Sequence, residues 1–467
     1  MNLLYRVSLW SYSTWFLMIG TLFGLLLMVA TPPFQSPDEQ NHYARAYHVS
    51  NGGLMGVTQD NLLGVIIPPN LIDLYFGAIK TEAGEIAGHP DIKFPLHKFK
   101  QGFSFKINTT DSQFMLAPNT ASYPFTFYLP HAIGIALGKT VLYSELGIFY
   151  SGRLFGLIFY LLSGWIILNN SSKPHQEIFF TCLLLPMPLF LAAMYTADTV
   201  STLIAYFAIT YYLTLRQEAI PINEKNLWKI LLIAFCIGLI KPVYVFLSAL
   251  IFLLPFSSQL SNLKNILIRI GVIAISLIGV VTVTLLGKGS QVTMRSDVDP
   301  NIQLAEFLHH PFKFILLSGT YFFDWMPDYY TGVIGVLGVL DTILPGYAYY
   351  LGLALMLFLI LQKNPEEKTF LWRELGLLSL AFVSCILATL LFLFITWSPT
   401  KAWIIEGFQG RYLLPILPII LIVFRSLIGM NIRCSKAWLI GGVFLLQVIT
   451  IYTVINRYYI PSQWFAG

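Results

Sequence analysis

The sequence predicts an all-α polytopic membrane protein, and its composition and the pattern of its apolar runs indicate this fold class. Of its 467 residues, 56% are hydrophobic and only 11% are charged, and the mean hydropathy is +0.69. Soluble domains carry about 25% charged residues, so this composition excludes an ordinary soluble protein. Most apolar runs approach the roughly 20 residues that a helix needs to cross the ~30 Å hydrocarbon core of a bilayer.

About eleven transmembrane helices are predicted in a single integral membrane domain that takes in residues 1–467. The predicted helices are residues 14–30, 149–168, 178–195, 199–215, 228–240, 243–255, 266–286, 346–361, 370–396, 412–424 and 437–455. Helices two to seven thus fill residues 149–286, and helices eight to eleven fill 346–455. The two short segments that meet at Lys241-Pro242 are compatible with two spans or with one kinked span.

Two long segments separate these helices, residues 31–148 and 287–345, and a short tail follows at 456–467. Within the first long segment, residues 125–139 are amphipathic and too short to span comfortably, so an interfacial helix is predicted there. With the N-terminus inside, these basic residues fall in cytoplasmic loops: Arg6, Lys173, Arg216, Lys225, Lys229, Lys264, Arg269, Lys363, Lys368, Arg373, Arg425, Arg433 and Lys436. The positive-inside rule therefore places both long segments and the tail outside.

Two acidic residues, Asp38 and Glu39, follow the first predicted span directly. A carboxylate at the membrane surface can act as a general base on a hydroxyl group of a substrate. The same residues also fit a capping box, with Ser36 at the N-cap, Pro37 at the first helical position and Glu39 at the third. Both interpretations stay open from the sequence.

Further polar residues fall on the same predicted side, where ionisable groups are costly and therefore functional candidates. His42 and Arg45 follow Glu39 at helical spacing, so the three side chains lie near one face of a helix. That face would combine a base with cationic contacts to a phosphate, or it would simply be the solvated face of an interfacial helix. Arg153 opens the second span, where a snorkelling anchor is the alternative. Asp198 precedes the fourth span, where it would serve equally as a helix N-cap.

Lys241 and Asp341 lie within strongly apolar surroundings. A lysine at that depth requires an anionic partner, and a lipid phosphate would serve, although snorkelling is again an alternative. Asp341 is similarly hard to explain by solvation.

The segment before the tenth span carries a further polar group: Lys401, Glu406, Gln409, Arg411 and Tyr412. Arginine suits bidentate phosphate recognition, and lysine supplies a point charge.

Four local patterns carry a resemblance to a known family. They are Ser36-Pro-Asp-Glu-Gln-Asn-His-Tyr-Ala-Arg-Ala-Tyr47, Gly238-Leu-Ile-Lys-Pro-Val-Tyr244, Gly338-Val-Leu-Asp-Thr-Ile-Leu-Pro345 and Gln409-Gly-Arg-Tyr-Leu-Leu-Pro-Ile-Leu-Pro418. In these patterns the chain resembles a family of bacterial polytopic proteins catalogued only as a domain of unknown function, whose members resemble GT-C-fold glycosyltransferases. Family members commonly have proline after the acidic pair, where this chain has Gln40.

The resemblance implies a GT-C-like enzyme of the bacterial inner membrane that faces the periplasm or cell exterior. It would transfer a hexose or pentose from a polyprenyl-phosphate sugar to a cell-surface polysaccharide or a lipid-linked acceptor. Asp38 or Glu39 would be the base. The expected phosphate ligands are Arg411, Lys401, Lys241 and Arg45, and the expected supporting residues are His42, Asp198, Arg153, Asp341, Gln409 and Tyr412.

This reaction requires no resident cofactor, since the lipid-linked sugar is itself the donor substrate. A divalent metal is compatible with paired acids but is not required, and no metal-ligand pattern is predicted. Besides donor, acceptor and membrane lipids, a donor-lipid synthase and a flippase are expected partners, and nucleic acid is not.

Three other classes of protein remain as alternatives. A polymerase that extends lipid-linked polysaccharide repeats shares the helices and the outer cations, but need not depend on the acid pair. A flippase or transporter of lipid-linked sugars would require polar groups along a path through the spans, and these are sparse. A scaffold would leave the outer charges unexplained.

Overall fold

The computed structural model describes residues 10–60, 62–69, 71, 80–81, 84–104, 111–142, 144–256, 261–286, 295, 297–430 and 435–461. The protein is mostly helical (71%). Residues 462–467 of the predicted outer tail lie outside the described residues. The same holds for residues 287–294, the first eight of the segment 287–345.

The α-helices are α1 Tyr12–Ala30, α2 Glu39–Ser50, α3 His97–Ser104, α4 Pro118–Ala121, α5 Leu129–Val141, α6 Glu145–Asn170, α7 Gln176–Leu183, α8 Pro186–Ala192, α9 Asp198–Gln217, α10 Glu224–Leu239, α11 Asn262–Leu286, α12 Pro300–His309, α13 Pro311–Asp324, α14 Met326–Ile334, α15 Gly346–Leu361, α16 Trp372–Thr396, α17 Leu417–Ile428 and α18 Lys436–Tyr459. Four 3-10 helices cover Phe125–Phe127, Lys173–His175, Pro242–Leu253 and Gly410–Ile416. The strands are β1 Val57–Gln59, β2 Leu62–Ile67, β3 Lys80–Thr81, β4 Gly84–Glu85, β5 Gln113–Leu116, β6 Val336–Leu337 and β7 Thr342–Ile343.

Helices occupy all eleven predicted segments, but fewer of them are long and apolar enough to cross a membrane. Among the described residues, six single helices meet that condition. Three shorter apolar helices begin at Asn226, Pro242 and Gly346. The protein is thus a multi-pass membrane protein, and the count of eleven spans stays a prediction.

The predicted third span is two short helices rather than one. Helix α7, with the turn before it, and helix α8 meet at an angle of 68°. Pro186 opens α8 and cannot donate the backbone hydrogen bond that would continue α7. Both helices are buried along almost their whole length, so they form the centre of the bundle rather than a lipid-facing span.

The all-α prediction misses three small sheets. Strands β1, β2 and β5 form an antiparallel sheet in the first long segment, and β3–β4 and β6–β7 are two-stranded. In β2, Leu63, Val65 and Ile67 point into the core, as alternation along a strand requires. Helix α5, predicted to be interfacial, packs along α6, where Gly134 approaches the Ser151 carbonyl so closely that a side chain would not fit.

A buried ion pair joins the first loop to the helix bundle. Arg153, in the third turn of α6, donates from Nε and Nη2 to the two carboxylate oxygens of Glu39 at 2.8 and 2.6 Å. Its remaining donors reach the carbonyls of Met28, Thr31 and Pro32 at the end of α1. Both charged side chains are fully buried, at 0% exposure. The pair therefore fixes α1, α2 and α6 against one another.

We predict that Arg153→Met lowers the free energy of unfolding by about 3–5 kcal/mol, because it leaves the Glu39 carboxylate buried without its counter-ion. Denaturant titration of the detergent-solubilised protein measures this. The matched control is Arg295→Met, which removes an arginine from its solvent-accessible ion pairs with Asp297 and Glu406 and should leave the unfolding midpoint unchanged. Equal losses of unfolding free energy in the two variants would contradict the stabilising role assigned to the buried Arg153–Glu39 pair.

The predicted orientation has a direct test. In a background with Cys236 and Cys434 replaced by serine, we expect the Asp60→Cys variant to react with a membrane-impermeant thiol reagent in intact cells. The Glu218→Cys variant should react only after permeabilisation, because the positive-inside rule places the end of α9 in the cytoplasm. The reverse pattern would overturn the topology.

Candidate functional site

The acid pair does not form the predicted capping box. Helix α2 begins at Glu39, and Asp38 is its N-cap residue, with a left-handed backbone (φ 56°) and no capping hydrogen bond from its side chain. The Ser36 hydroxyl is buried without a hydrogen-bond partner, so it caps nothing either. A non-glycine residue in this conformation is uncommon, and such strain tends to occur at functional sites. The fold leaves the Asp38 carboxylate uncommitted to the helix.

The Asp38 carboxylate lies in a recess beside two asparagine side chains. Asn119, in α4, is close enough to Asp38 for its side-chain amide to favour the ionised carboxylate. Asn119 Oδ1 accepts in turn from Asn41 Nδ2 at 2.7 Å. Asp38 is accessible to solvent, yet protein crowds around it, and this desolvation raises the pKa of its carboxyl group although Arg411 opposes the shift. A carboxylate with a raised pKa is a better proton acceptor near neutral pH.

Three further charged residues meet beside Asp38. Lys241 Nζ donates to Asp198 Oδ1 at 2.5 Å, and Arg411 Nη1 lies 3.3 Å from Asp198 Oδ2. Asp198 is the first residue of α9, Ala197 being the N-cap, so the sequence prediction of Asp198 as the cap is wrong. Lys241 lies at the break between α10 and the 3-10 helix that follows, which brings it to the same end of the bundle.

Arg411 is held from two directions. Its Nε donates to Gln409 Oε1 at 2.6 Å, and its guanidinium lies 5.5 Å from the ring centre of Tyr412. The same ring lies 4.8 Å from Lys241 Nζ. Gln409 thus positions the arginine, and Tyr412 offers its π face to both cations. We call Asp38, Asp198, Lys241 and Arg411 the charged cluster.

Aromatic and imidazole groups close one side of the charged cluster. His42 Nδ1 and the Tyr128 hydroxyl are 2.8 Å apart. Burial lowers the pKa of His42 to about 3, so the imidazole is neutral at pH 7 and serves as a hydrogen-bonding group rather than a cation. Tyr123 lies within electrostatic reach of Lys241 and Arg411. The cluster is therefore bordered by groups that suit a polar, ring-shaped ligand.

Three predicted site residues have structural partners instead. Glu39 is enclosed by Arg153 and by the Tyr195 N–H, which donates to Glu39 Oε1 at 3.2 Å, so neither acid oxygen faces the recess. Arg45 is fully buried and donates to the carbonyls of Gly53, Leu54 and Tyr123 at 2.7–3.1 Å. The catalytic assignment of Glu39, the phosphate-binding assignment of Arg45 and the supporting assignment of Arg153 give way to roles in loop folding.

Two more predicted residues lie apart from the charged cluster. Asp341 Oδ2 accepts from Arg457 Nη2 at 2.6 Å and from the Gly88 N–H at 3.0 Å, which ties the β6–β7 turn and the end of α18 to the first loop. Lys401 has an exposed side chain, and its backbone N–H donates to Gln303 Oε1. Within the described residues, the Lys401 side chain makes no salt bridge with Asp198 and no hydrogen bond with Arg411. Its predicted role as a phosphate ligand stays a prediction.

Asn41, Asn119 and Tyr128 were missed by the sequence reasoning. Asn119 and Tyr128 are distant from the acid pair along the chain, and only the folding of α4 and α5 onto α2 brings them to it. Asn41 carries no charge that would have singled it out. Across the part of the chain that the structure describes, no group of three or more histidine, cysteine, aspartate or glutamate side chains is placed to hold a metal ion.

Comparison with known proteins gives one match. A family model described as "Predicted membrane protein (DUF2142)" matches residues 21–420. The chain belongs to this family. That range contains every member of the charged cluster, and the family description states a membrane location and no reaction. No protein with a curated description and no solved structure matches the chain.

We predict that Asp38→Asn does not lower the unfolding temperature at pH 7. Because the folded protein raises the pKa of Asp38, the protonated form favours folding, and that contribution is lost as the pH rises through the folded pKa. The amide should remove this loss and flatten the pH dependence of stability in the acidic range. Thermal unfolding from pH 4 to 8 measures it, with Asp297→Asn as the control for an exposed carboxylate. Loss of a helix cap worth about 1 kcal/mol would instead lower the unfolding temperature at pH 7. That result would contradict the conclusion that the Asp38 carboxylate does not cap α2.

Proposed function

We propose that this protein is a GT-C-like glycosyltransferase of the bacterial inner membrane, using a polyprenyl-phosphate sugar as donor and acting on the extracytoplasmic side. One observation carries the proposal. Asp38 has a solvent-accessible carboxylate on which the charge of Arg411 acts, and Arg411 and Lys241, which share Asp198 as their anionic partner, can bind a phosphate. The acceptor is a hydroxyl of a cell-surface polysaccharide or of a lipid-linked glycan.

The chemistry requires a base on one side of the anomeric carbon and cations on the other. The acceptor oxygen bonds to the anomeric carbon, and Asp38 takes the proton of the acceptor hydroxyl. The bond between the anomeric carbon and the phosphate oxygen breaks, and its electron pair leaves with the lipid phosphate. Negative charge therefore grows on that phosphate, where preorganised cations lower the barrier most.

Lys241 and Arg411 suit this task because Asp198 already holds them. Lys241 is directed by the Asp198 carboxylate, and Arg411 by Asp198 and Gln409 together. Both cations are thus ordered before a donor binds, which reduces the entropy that binding would otherwise cost. Asp198 is accordingly assigned as a positioning residue, with no role as a proton acceptor because two cations occupy its oxygens.

The route of the donor fits the surface around the recess. Helices α12, α13 and α14 expose large apolar side chains, and Phe312, Leu316 and Phe323 are each more than 70% exposed. Such short amphipathic helices lie in the membrane interface. A polyprenyl chain would remain in the bilayer next to them while its phosphate reaches Arg411.

The decisive experiment is transfer in proteoliposomes supplied with radiolabelled polyprenyl-phosphate sugars and a lipid-linked or polysaccharide acceptor. We expect Asp38→Asn to reduce transfer by about 10²- to 10⁴-fold, the usual contribution of a general base, while donor binding and folding persist. The control Asp297→Asn should remain fully active. An Asp38→Asn protein with wild-type turnover would remove Asp38 from the chemistry.

The same assay tests the cations and the second acid. Arg411→Ala should slow transfer by about 30- to 1000-fold, equivalent to ~2–4 kcal/mol, and Arg411→Lys should recover part of it. The matched control Arg295→Ala should leave the rate unchanged. Glu39→Gln should lower the amount of folded protein and leave the activity per folded molecule close to that of the wild type.

A further inference from the structure

A second charged region lies at the opposite end of the bundle from Asp38. Helix α9 has Asp198 at its first residue and Arg216 eighteen residues later. At ~1.5 Å per residue the two are separated by about 27 Å, close to the thickness of a bilayer core. Arg216 borders a cavity of about 880 Å³ between the end of α9, the 3-10 helix that ends at Leu253, α11 and the start of α16.

Cations outnumber anions around this cavity. Its lining includes Arg216, Arg269, Lys368 and Arg373, and the carboxylate among the lining residues is that of Glu374. Glu374 is already engaged, since Arg216 Nη2 donates to it at 2.9 Å. For the other three cations, the described residues supply no salt-bridge partner within 4.0 Å.

Two of these cations, Arg269 and Arg373, lie near one another in spite of their repulsion. Arg269 lies with its guanidinium 5.0 and 4.8 Å from the ring centres of Phe252 and Phe256, which fix its direction. Arg373 is close enough for its charge to act on Arg269. An anion between these two arginines would relieve that repulsion, and a planar guanidinium can donate two parallel hydrogen bonds to two oxygens of one phosphate.

The rest of the lining indicates what kind of anion fits. The side chains of Phe252 and Leu371, which also line the cavity, are about half exposed. The cavity therefore has both cationic and apolar side chains in its lining. Asn265, also in the lining, has its Oδ1 buried without a hydrogen-bond partner among the described residues, so a rotation of this half-buried side chain would present an unpaired acceptor to a ligand hydroxyl. A free phosphate ion would use the cations but would leave the apolar side chains unused.

We propose that this cavity binds the headgroup of an anionic phospholipid that carries both a phosphodiester and a hydroxyl, phosphatidylglycerol being the simplest. The phosphate lies between Arg269 and Arg373, with Lys368 at the rim. A headgroup hydroxyl donates to Asn265 Oδ1, and the acyl chains run along the exposed faces of Phe252 and Leu371. Arg216 keeps its bond to Glu374 and closes the inner wall of the cavity.

This assignment stands independently of the reaction proposed for the charged cluster. No member of the cluster lines the cavity, and lipid binding is measured without a glycosyl donor. Failure of one proposal therefore says nothing about the other.

The test is native mass spectrometry of the full-length protein in detergent, titrated with phosphatidylglycerol, phosphatidylcholine or inorganic phosphate. We expect saturable binding of phosphatidylglycerol, with phosphatidylcholine and phosphate at least tenfold weaker. The double variant Arg269→Gln/Arg373→Gln should weaken phosphatidylglycerol binding by about 30-fold, at about fivefold for each cation removed near a membrane surface.

The matched control is Lys229→Gln/Lys264→Gln, which removes two exposed cations at the same end of the bundle that do not line the cavity. It should bind phosphatidylglycerol within twofold of the wild type. Equal weakening in both double variants, or equal binding of phosphatidylcholine by the wild type, would overturn the proposal. Wild-type affinity for inorganic phosphate equal to that for the lipid would overturn the assignment to a lipid headgroup.

If the double variant unfolds, Asn265→Leu provides a second test that removes no charge. It should weaken phosphatidylglycerol binding and leave the weak binding of inorganic phosphate unchanged. Unchanged phosphatidylglycerol binding in this variant would overturn the placement of the headgroup.

Discussion

The buried pair of Arg153 and Glu39 is the interaction on which the outer half of the molecule depends. A charged pair at 0% exposure is costly unless every donor and acceptor is satisfied, and here the guanidinium reaches both carboxylate oxygens and three carbonyls at the end of α1. These bonds fix the start of α2 against α6. The position of Asp38, one residue earlier, follows from that constraint.

The two neighbouring acids consequently have opposite environments. Glu39 faces inward and is neutralised by Arg153, whereas Asp38 adopts a left-handed backbone that turns its carboxylate away from the helix and toward Asn119. A pair of adjacent carboxylates could not both be desolvated at low cost, since each would disfavour ionisation of the other. Separating them lets Glu39 stabilise the fold and leaves Asp38 for the role proposed for it.

Charge is balanced within the recess rather than by solvent. Asp198 lies between Lys241 and Arg411, and the dipole at the start of α9 also favours a carboxylate there. The opposite end of the same helix is different, because Arg216 finds its counter-ion in Glu374 while its cationic neighbours have no comparable partner among the residues that the structure describes. The two ends of one helix thus present a balanced polar recess and a cavity with excess positive charge.

Composition and apolar runs alone determined that the protein is a multi-pass helical membrane protein, because burial in a bilayer requires long uncharged segments. They also made Asp38, Asp198, Lys241 and Arg411 predicted site residues, since ionisable groups at or near membrane spans are rare. Tertiary structure alone decided which charges serve the fold. Glu39, Arg45 and Asp341 resemble site residues in sequence, yet their partners are Arg153, loop carbonyls and Arg457. Hydropathy cannot assign these partners, because which charge pairs with which depends on contacts between residues far apart in the chain.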